Sequence, residues 1–497
     1  MTDRPAFRVR NRTNQQITAA TPEASVWVSA NAGTGKTGVL VDRISRLLLG
    51  GVEPERILCL TFTKAAAAEM ANRLSALLSS WSAMPDDVIT LELHALGEHP
   101  VDAELIDRAR RLFALTLEAP EGLRIRTIHS FCESLLGRFP LEARIAPDFR
   151  VMDERDQREL QMLARDNVLG QAEAKGTGLA AALSSIAGLV NEDQFAGLMK
   201  ELDGTRAKFR AALQANGGPD GLADAVYRLF EIDPATSADS VIRDACVVDD
   251  KTRADLERLC AAWEKGAATN RKMAEDARAW MLMQPENRQP LWHTLYTPLF
   301  LKKDGDMKAN STLLAKAALE SDPGALDIAI DLGTICIATL DLIKAVNICA
   351  ATRSLILLGD ALITAYEDIK QHRGRLDYDD LIERASTLLG SQSGASWVHY
   401  KLDGGIEHVL VDEAQDTSPE QWQVIREIAS DFFAGQSRYE ETAARPRTVF
   451  AVGDEKQSIY SFQGADPAMF GTMRHRFSEK VRAADQVWQS VAMAESF

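Results

Sequence analysis

The chain has 497 residues, 46% of them hydrophobic, and a net charge of −16. That length supports two or three domains, no apolar run is long enough to span a membrane, and the N-terminus carries no secretory signal, which agrees with a cytosolic enzyme without revealing one. The scattered Cys59, Cys132, Cys246, Cys260, Cys336 and Cys349 form no C-x-x-C pair, which excludes a disulfide scaffold, and the acidic balance excludes attraction to nucleic acid by overall charge, leaving only a local basic groove for that purpose.

In chain order, Arg4, Arg8, Arg10 and Arg12 come first and read as a solvated, mobile terminus, with contact to DNA or to a partner as the alternative. Val26-Trp27-Val28-Ser29 is a short β-like run. Behind it comes the loop Ala30-Asn31-Ala32-Gly33-Thr34-Gly35-Lys36-Thr37, then Val39, Leu40, Val41, Ile44, Leu47 and Leu48 at helical spacing. A strand, a glycine-containing loop and a helix start present successive N–H groups and a positive dipole end to a phosphate chain. Lys36 can reach the terminal phosphates and the Thr37 hydroxyl can sit on Mg²⁺. The loop opens with Ala30 where the general pattern has glycine.

Strand-like runs recur near 57–61 and 124–128. Between about 142 and 370 the pattern turns helical, and this stretch is expected to be an insertion in the first domain. Inside it, Leu299 to Asp306 contains a D-G turn and predicts a small hairpin. Ser354 to Gln371 predicts a helix. Next, Leu376-Asp377-Tyr378-Asp379-Asp380-Leu381-Ile382 brings together acids that read as structural or as packing beside DNA, not as a metal site. His408-Val409-Leu410-Val411 reads as a buried strand with Asp412 and Glu413 at its C-terminal end, the edge at which open α/β sheets bind ligands. One of these carboxylates can hold Mg²⁺ while the other orients or deprotonates the attacking water. A final strand near 447–453 runs through Gly453-Asp454 into Glu455-Lys456-Gln457-Ser458-Ile459-Tyr460-Ser461-Phe462-Gln463-Gly464-Ala465-Asp466.

The loop at 30–37, the acids at 412–413 and the segment at 453–466, in this order, resemble the superfamily 1 DNA helicases of the UvrD/RecB kind, most nearly the AddA component of a helicase–nuclease. The resemblance runs from Asn14 to Phe497, with few motifs in the middle. It implies an α/β fold: a P-loop RecA-like parallel sheet flanked by helices, with a large, mainly helical insertion. Motor domain 1A would comprise 1–141 and 371–497, and insertion 1B would be 142–370. The resemblance also assigns roles. Gln16 would read adenine through its amide, and residues 30–37 would hold ATP. Phe62, Thr63 and Lys64 would lie along single-stranded DNA, by base stacking and phosphate contact. His129, in Arg126-Thr127-Ile128-His129-Ser130-Phe131-Cys132, would link the DNA groove to the ATP site rather than bind a metal. Gln457 would sense the γ-phosphate, and Tyr460 and Phe462 would lie toward DNA. Gln463 stands where the family usually has Arg.

The activity implied is ATP-dependent 3′-to-5′ unwinding in double-strand break repair, on single-stranded or tailed duplex DNA, with an AddB-like partner and no membrane. Relatives continue past the position of Phe497 into a second motor domain and a nuclease domain, so a front fragment that binds ATP and hydrolyses it poorly by itself is expected. A non-motor ATP-binding module serving DNA binding or assembly is the alternative.

Overall fold

The structure, a computed structural model, describes residues 9–31, 33–120, 122–173, 177–390, 398, 401, 405–433, 446–454 and 467–493. The chain divides into two compact units, Met1–Gln157 with Lys370–Phe497, and Arg158–Ile369. Ala32, Gln457, Tyr460, Phe462 and Gln463 fall outside the described residues.

The first unit is built on a parallel sheet of six strands. These are β1 (Ser25–Ala30), β2 (Ile57–Thr61), β3 (Arg124–Thr127), β6 (His408–Val411), β7 (Thr448–Gly453) and β8 (Trp488–Met493), in the spatial order β3-β2-β6-β7-β1-β8. β4 (Arg150–Val151) and β5 (Arg375–Leu376) form a separate parallel pair. The four inner strands are buried almost throughout. Parallel strands covered by helices on both faces read as continuous apolar runs, which is why they stand out in the sequence. β8 does not read that way. It is an edge strand, half-buried and mixed in polarity, and pairs with β1 from Ser25↔Trp488 to Ala30↔Met493.

Period-two alternation sends each strand's side chains to two cores. Trp27, Leu58, Leu60, Val409, Val411, Val449 and Ala451 face the core with Phe131, Trp422, Phe470 and Phe477. Val26, Val28, Cys59, Leu410, Phe450 and Val452 face the other, with Leu40, Ile44, Met70 and Trp81. Arg43 is fully buried in the second core. Its guanidinium donates to the Thr21 and Ala24 carbonyls and to Thr448 Oγ1 at 2.5, 2.7 and 2.9 Å, and lies 5.1 Å from the centre of the Phe450 ring. Burial pulls its pKa down to about 9, so these acceptors are what keep the charge tolerable.

The N-terminal reading needs correction for two of its arginines. Arg12 donates to Asp42 Oδ2 at 2.7 Å and Oδ1 at 3.0 Å and to Glu92 Oε1 at 2.9 Å; Arg10 pairs with the same two acids. Arg12, Asp42 and Glu92 are nearly inaccessible to solvent. Two buried carboxylates require cations, and these arginines supply them. Arg4 and Arg8 lie outside the described residues.

The second unit is helical. Trp263, Trp280, Trp292 and Phe300 fill its core, and Trp263 Nε1 donates to the Leu313 carbonyl at 2.6 Å. The expected small hairpin is present as a Leu301↔Met307 bridge with Gly305 at φ 90°. The helix expected from Ser354 starts earlier. It runs unbroken from Ala325 to His372, and its last residues, from Lys370, belong to the first unit.

There Lys370 meets the acids of the 376–382 segment. Its ammonium donates to Asp380 at 2.6 and 2.7 Å and to Asp377 at 3.1 Å, and each Asp carboxylate caps the other's backbone N–H at 2.9 Å. Burial, and then Asp377, push the Asp380 carboxyl up against the pull of Lys370. Removing one member of a buried ionic group strands the others. Lys370→Met is expected to destabilise the first unit by about 3–5 kcal/mol, measured as the loss in urea-unfolding free energy followed by a probe in that unit.

Candidate functional site

Because every main strand runs the same way, each motif emerges at the sheet's C-terminal edge. β1 ends at Ala30 and the loop follows it. Gly33 and Gly35 take φ 76° and 84°, a region open to glycine and costly for other residues. Thr34 is buried, and its hydroxyl donates to the Asn31 carbonyl at 2.8 Å. The helix Lys36–Leu49 begins directly behind Gly35, so its first N–H groups and dipole end point into the loop. Thr37 is half-buried in its first turn.

Gln16 sits over this loop. It lies in the short helix Asn14–Ala19, where Thr13 and Gln16 form a reciprocal capping box. The Gln16 amide accepts from Thr13 N–H at 3.0 Å and donates to the Thr34 carbonyl at 3.3 Å. A Cβ on Gly35 would stand 3.1 Å from Gln16 Nε2. Glycine at 35 therefore gives this side chain its place beside the loop.

β6 ends at Val411, with Asp412 and Glu413 beyond it. Lys36 Nζ donates to Glu413 Oε2 at 2.7 Å, joining residues 377 apart in sequence. Gln415 Nε2 donates to the same oxygen at 2.8 Å and to Asp416 Oδ2 at 3.0 Å. Glu413 takes φ 47°, a left-handed conformation that a non-glycine residue holds only where its surroundings fix it. Asp412 is only 6% exposed, and its Oδ1 has no hydrogen-bond partner among the described residues. Burial, and then the charge of Glu413, push its carboxyl up to about 6. A buried, unsatisfied carboxylate oxygen next to a phosphate-type loop is the donor set that a hard divalent cation accepts, so the residues present fit Mg²⁺.

The other expected residues stand farther along the same edge. Phe62, half-buried, and the exposed Thr63 and Lys64 follow β2. The Thr63 hydroxyl caps the helix Lys64–Ala83 by accepting from Ala66 N–H at 3.0 Å, so helix capping already explains part of that threonine's presence. His129 follows β3 in the first turn of the helix Ile128–Arg138, edge-on to the Tyr378 ring with centroids 5.1 Å apart. Burial pulls its pKa down, which favours a neutral imidazole able both to donate and to accept. Among the described residues no group of three His, Cys, Asp or Glu is arranged to hold a metal ion. Sequence reasoning left Gln415 and Asp416 without a role, although both lie within the acidic motif. It also missed Thr13, whose spacing to Gln16 fits the capping-box pattern.

A glycine-bearing loop that leads from the first strand into a helix, with acids after a strand two places away, defines a P-loop α/β fold. The chain belongs to the UvrD/REP helicase family: residues 11–218 and 348–478 match the UvrD/REP helicase N-terminal domain. It is 30% identical over 481 residues to the AddA subunit of the ATP-dependent helicase/nuclease of Pelotomaculum thermopropionicum, a match covering 90% of this chain and 34% of that protein. The corresponding proteins from Listeria monocytogenes and Latilactobacillus sakei are 26% and 25% identical, covering 92% and 95% of this chain and 35% and 51% of theirs. The chain thus spans about a third to a half of the length of these curated relatives. No helix among the described residues is long and apolar enough to cross a membrane.

The raised Asp412 pKa has a measurable sign. Folded Asp412 binds its proton more tightly than unfolded Asp412, so the cost of burying it ionised is felt above its folded value and vanishes below its unfolded value. Without divalent ions, Asp412→Asn is expected to stabilise the chain by about 1–3 kcal/mol near pH 7.5, and the gain should fade toward pH 4. Urea unfolding of both proteins across that range reads it.

Proposed function

We propose that this chain is the ATP- and DNA-binding front part of an AddA-type helicase. The observation that carries the reading is the convergence of Lys36, Glu413 and Gln415 next to the unsatisfied oxygen of Asp412. Gln16 reads adenine, having exchanged its Thr13 and Thr34 contacts for the base. Residues 30–35 wrap the phosphates, Lys36 takes a terminal phosphate oxygen, and Thr37 and Asp412 hold Mg²⁺. Bound there, the ion neutralises charge on the phosphates. Glu413 orients the attacking water, and Gln457 reports the presence of the γ-phosphate.

On the same reading Phe62 stacks on a base of single-stranded DNA, Thr63 and Lys64 hold its phosphates, and His129, Tyr460 and Phe462 carry the nucleotide signal to that face. The three domain segments proposed are 1–141 and 371–497 for the motor and 142–370 for the helical insertion. The activity proposed for the whole protein is ATP-driven 3′-to-5′ movement on single-stranded or tailed duplex DNA in double-strand break repair, beside an AddB-like partner in the cytoplasm. A second motor domain of the relatives' kind would supply arginine to the γ-phosphate. Such a finger contributes about 10³- to 10⁵-fold in rate, so this chain by itself binds ATP and turns it over slowly.

ATP hydrolysis by the chain, and by the chain joined to a second motor domain of that kind, with and without single-stranded DNA, tests the proposal. DNA-stimulated turnover only in the joined protein is the expected result; equal, DNA-insensitive rates in both would leave the non-motor module. Lys36→Ala should weaken Mg·ATP binding about tenfold to a hundredfold, the worth of one charge-assisted hydrogen bond, in a fluorescent-nucleotide titration. Phe62→Ala should cost single-stranded DNA affinity about 1–3 kcal/mol by anisotropy, while ATP affinity stays at the parent value.

A further inference from the structure

Gln415 is 2% exposed and spans the space between the acid pair and the end of β7. Its Oε1 accepts from the Asp454 backbone N–H at 2.9 Å, and its Nε2 donates to Glu413 Oε2 at 2.8 Å and Asp416 Oδ2 at 3.0 Å. A backbone N–H can only donate. It therefore settles which end of the amide faces β7, and both amide protons must face the two carboxylates. Gly453 makes room for this arrangement, since a Cβ there would stand 2.6 Å from Gln415 Oε1 and 3.1 Å from its backbone nitrogen.

We propose that Gln415 is a positioning residue for hydrolysis, holding Glu413 by Oε2 so that Oε1 is the oxygen that takes the proton of the attacking water. This rests on reading Glu413 as the group that orients that water. Two donors share Glu413 Oε2, Lys36 Nζ at 2.7 Å and Gln415 Nε2. When Lys36 turns to a phosphate oxygen, the neutral donor stays. An amide donor fixes the direction of a carboxylate. Glu413 thereby keeps its orientation through the same event that brings the phosphate in. In the step itself a water O–H proton passes to Glu413 Oε1 and the water oxygen bonds to the γ-phosphorus. The bond from that phosphorus to the bridging oxygen breaks, and its electron pair leaves on ADP.

Gln415→Leu removes every amide contact. Gln415→Glu keeps an acceptor for Asp454 N–H while replacing the donors with a carboxylate that repels Glu413 and Asp416. Single-turnover hydrolysis and Mg·ATP titration of both, beside Lys36→Ala, form the test. Both Gln415 variants are expected to slow the chemical step about a hundredfold, within the range of lost general-base assistance, with ATP affinity changed less than about threefold. A parent-like rate in Gln415→Glu would show that the residue only ties Asp454 to the acidic turn, and equal losses of rate and affinity in both would reduce it to a scaffold; either result overturns the proposal. Unchanged ATP binding in Lys36→Ala would instead overturn the ATP-site reading, whatever the Gln415 variants do.

Discussion

A parallel sheet forces long connections, because consecutive parallel strands cannot be joined by a tight turn. In this chain that constraint puts β1 and β6 almost four hundred residues apart in sequence and one strand apart in space, with β7 between them. Lys36 and Glu413 can meet only because β1 pairs with β7 in the register Val28↔Val452 while β6 pairs with β7 in the register Val411↔Ala451. A shift of one residue in either ladder would turn the alternating side chains to the wrong core, which is why Val26 and Trp27, facing opposite ways, are both fully buried. The packing of the two cores fixes the distance between the lysine and the acid.

The site sits against that packing as a local cost. Asp412 is buried with an unsatisfied oxygen, Glu413 is held in a left-handed conformation, and Lys36 is tied to that acid. Elsewhere in the unit, Arg43 ties Thr21, Ala24 and Thr448 together at the other end of β1 and β7, and Arg10 and Arg12 bind Asp42 and Glu92 next to the helix that carries Gln16. Strained and unsatisfied groups gathered in a few residues are the usual distribution at a functional centre.

The inner strands and the lysine loop were legible because their signals are local: an apolar run, glycines at φ-demanding positions, acids directly after a strand. β8 was not, since Trp488-Gln489-Ser490-Val491-Ala492-Met493 mixes polar and apolar residues as an edge strand with a partly solvated face does. The helix from Ala325 was seen only from Ser354. Its earlier half carries Gly333 and β-branched residues such as Thr334, Ile335, Ile337 and Thr339, which weaken local helix preference, while packing of Ala329, Leu332, Cys336 and Val346 in the helical core holds it. Arg12 read as solvated because its acids lie 30 and 80 residues away. Gln415 was visible as a motif letter, yet its partner Asp454 N–H lies 39 residues on, where only the folded sheet could bring it.

The Trp27 side chain has an optical consequence. Its indole lies 5.6 Å from that of Trp422 with the ring planes 21° apart, and 6.2 Å from that of Trp488. Aromatic rings this close and this nearly parallel couple their electronic transitions, so the first unit carries a chromophore cluster whose circular dichroism and emission depend on the mutual orientation of its rings. Trp27 lies on the strand that runs into the loop, Trp422 on the helix behind the acids, and Trp488 on the edge strand beside them. Any displacement of one of these elements against another is therefore written into the near-ultraviolet spectrum of the unlabelled protein.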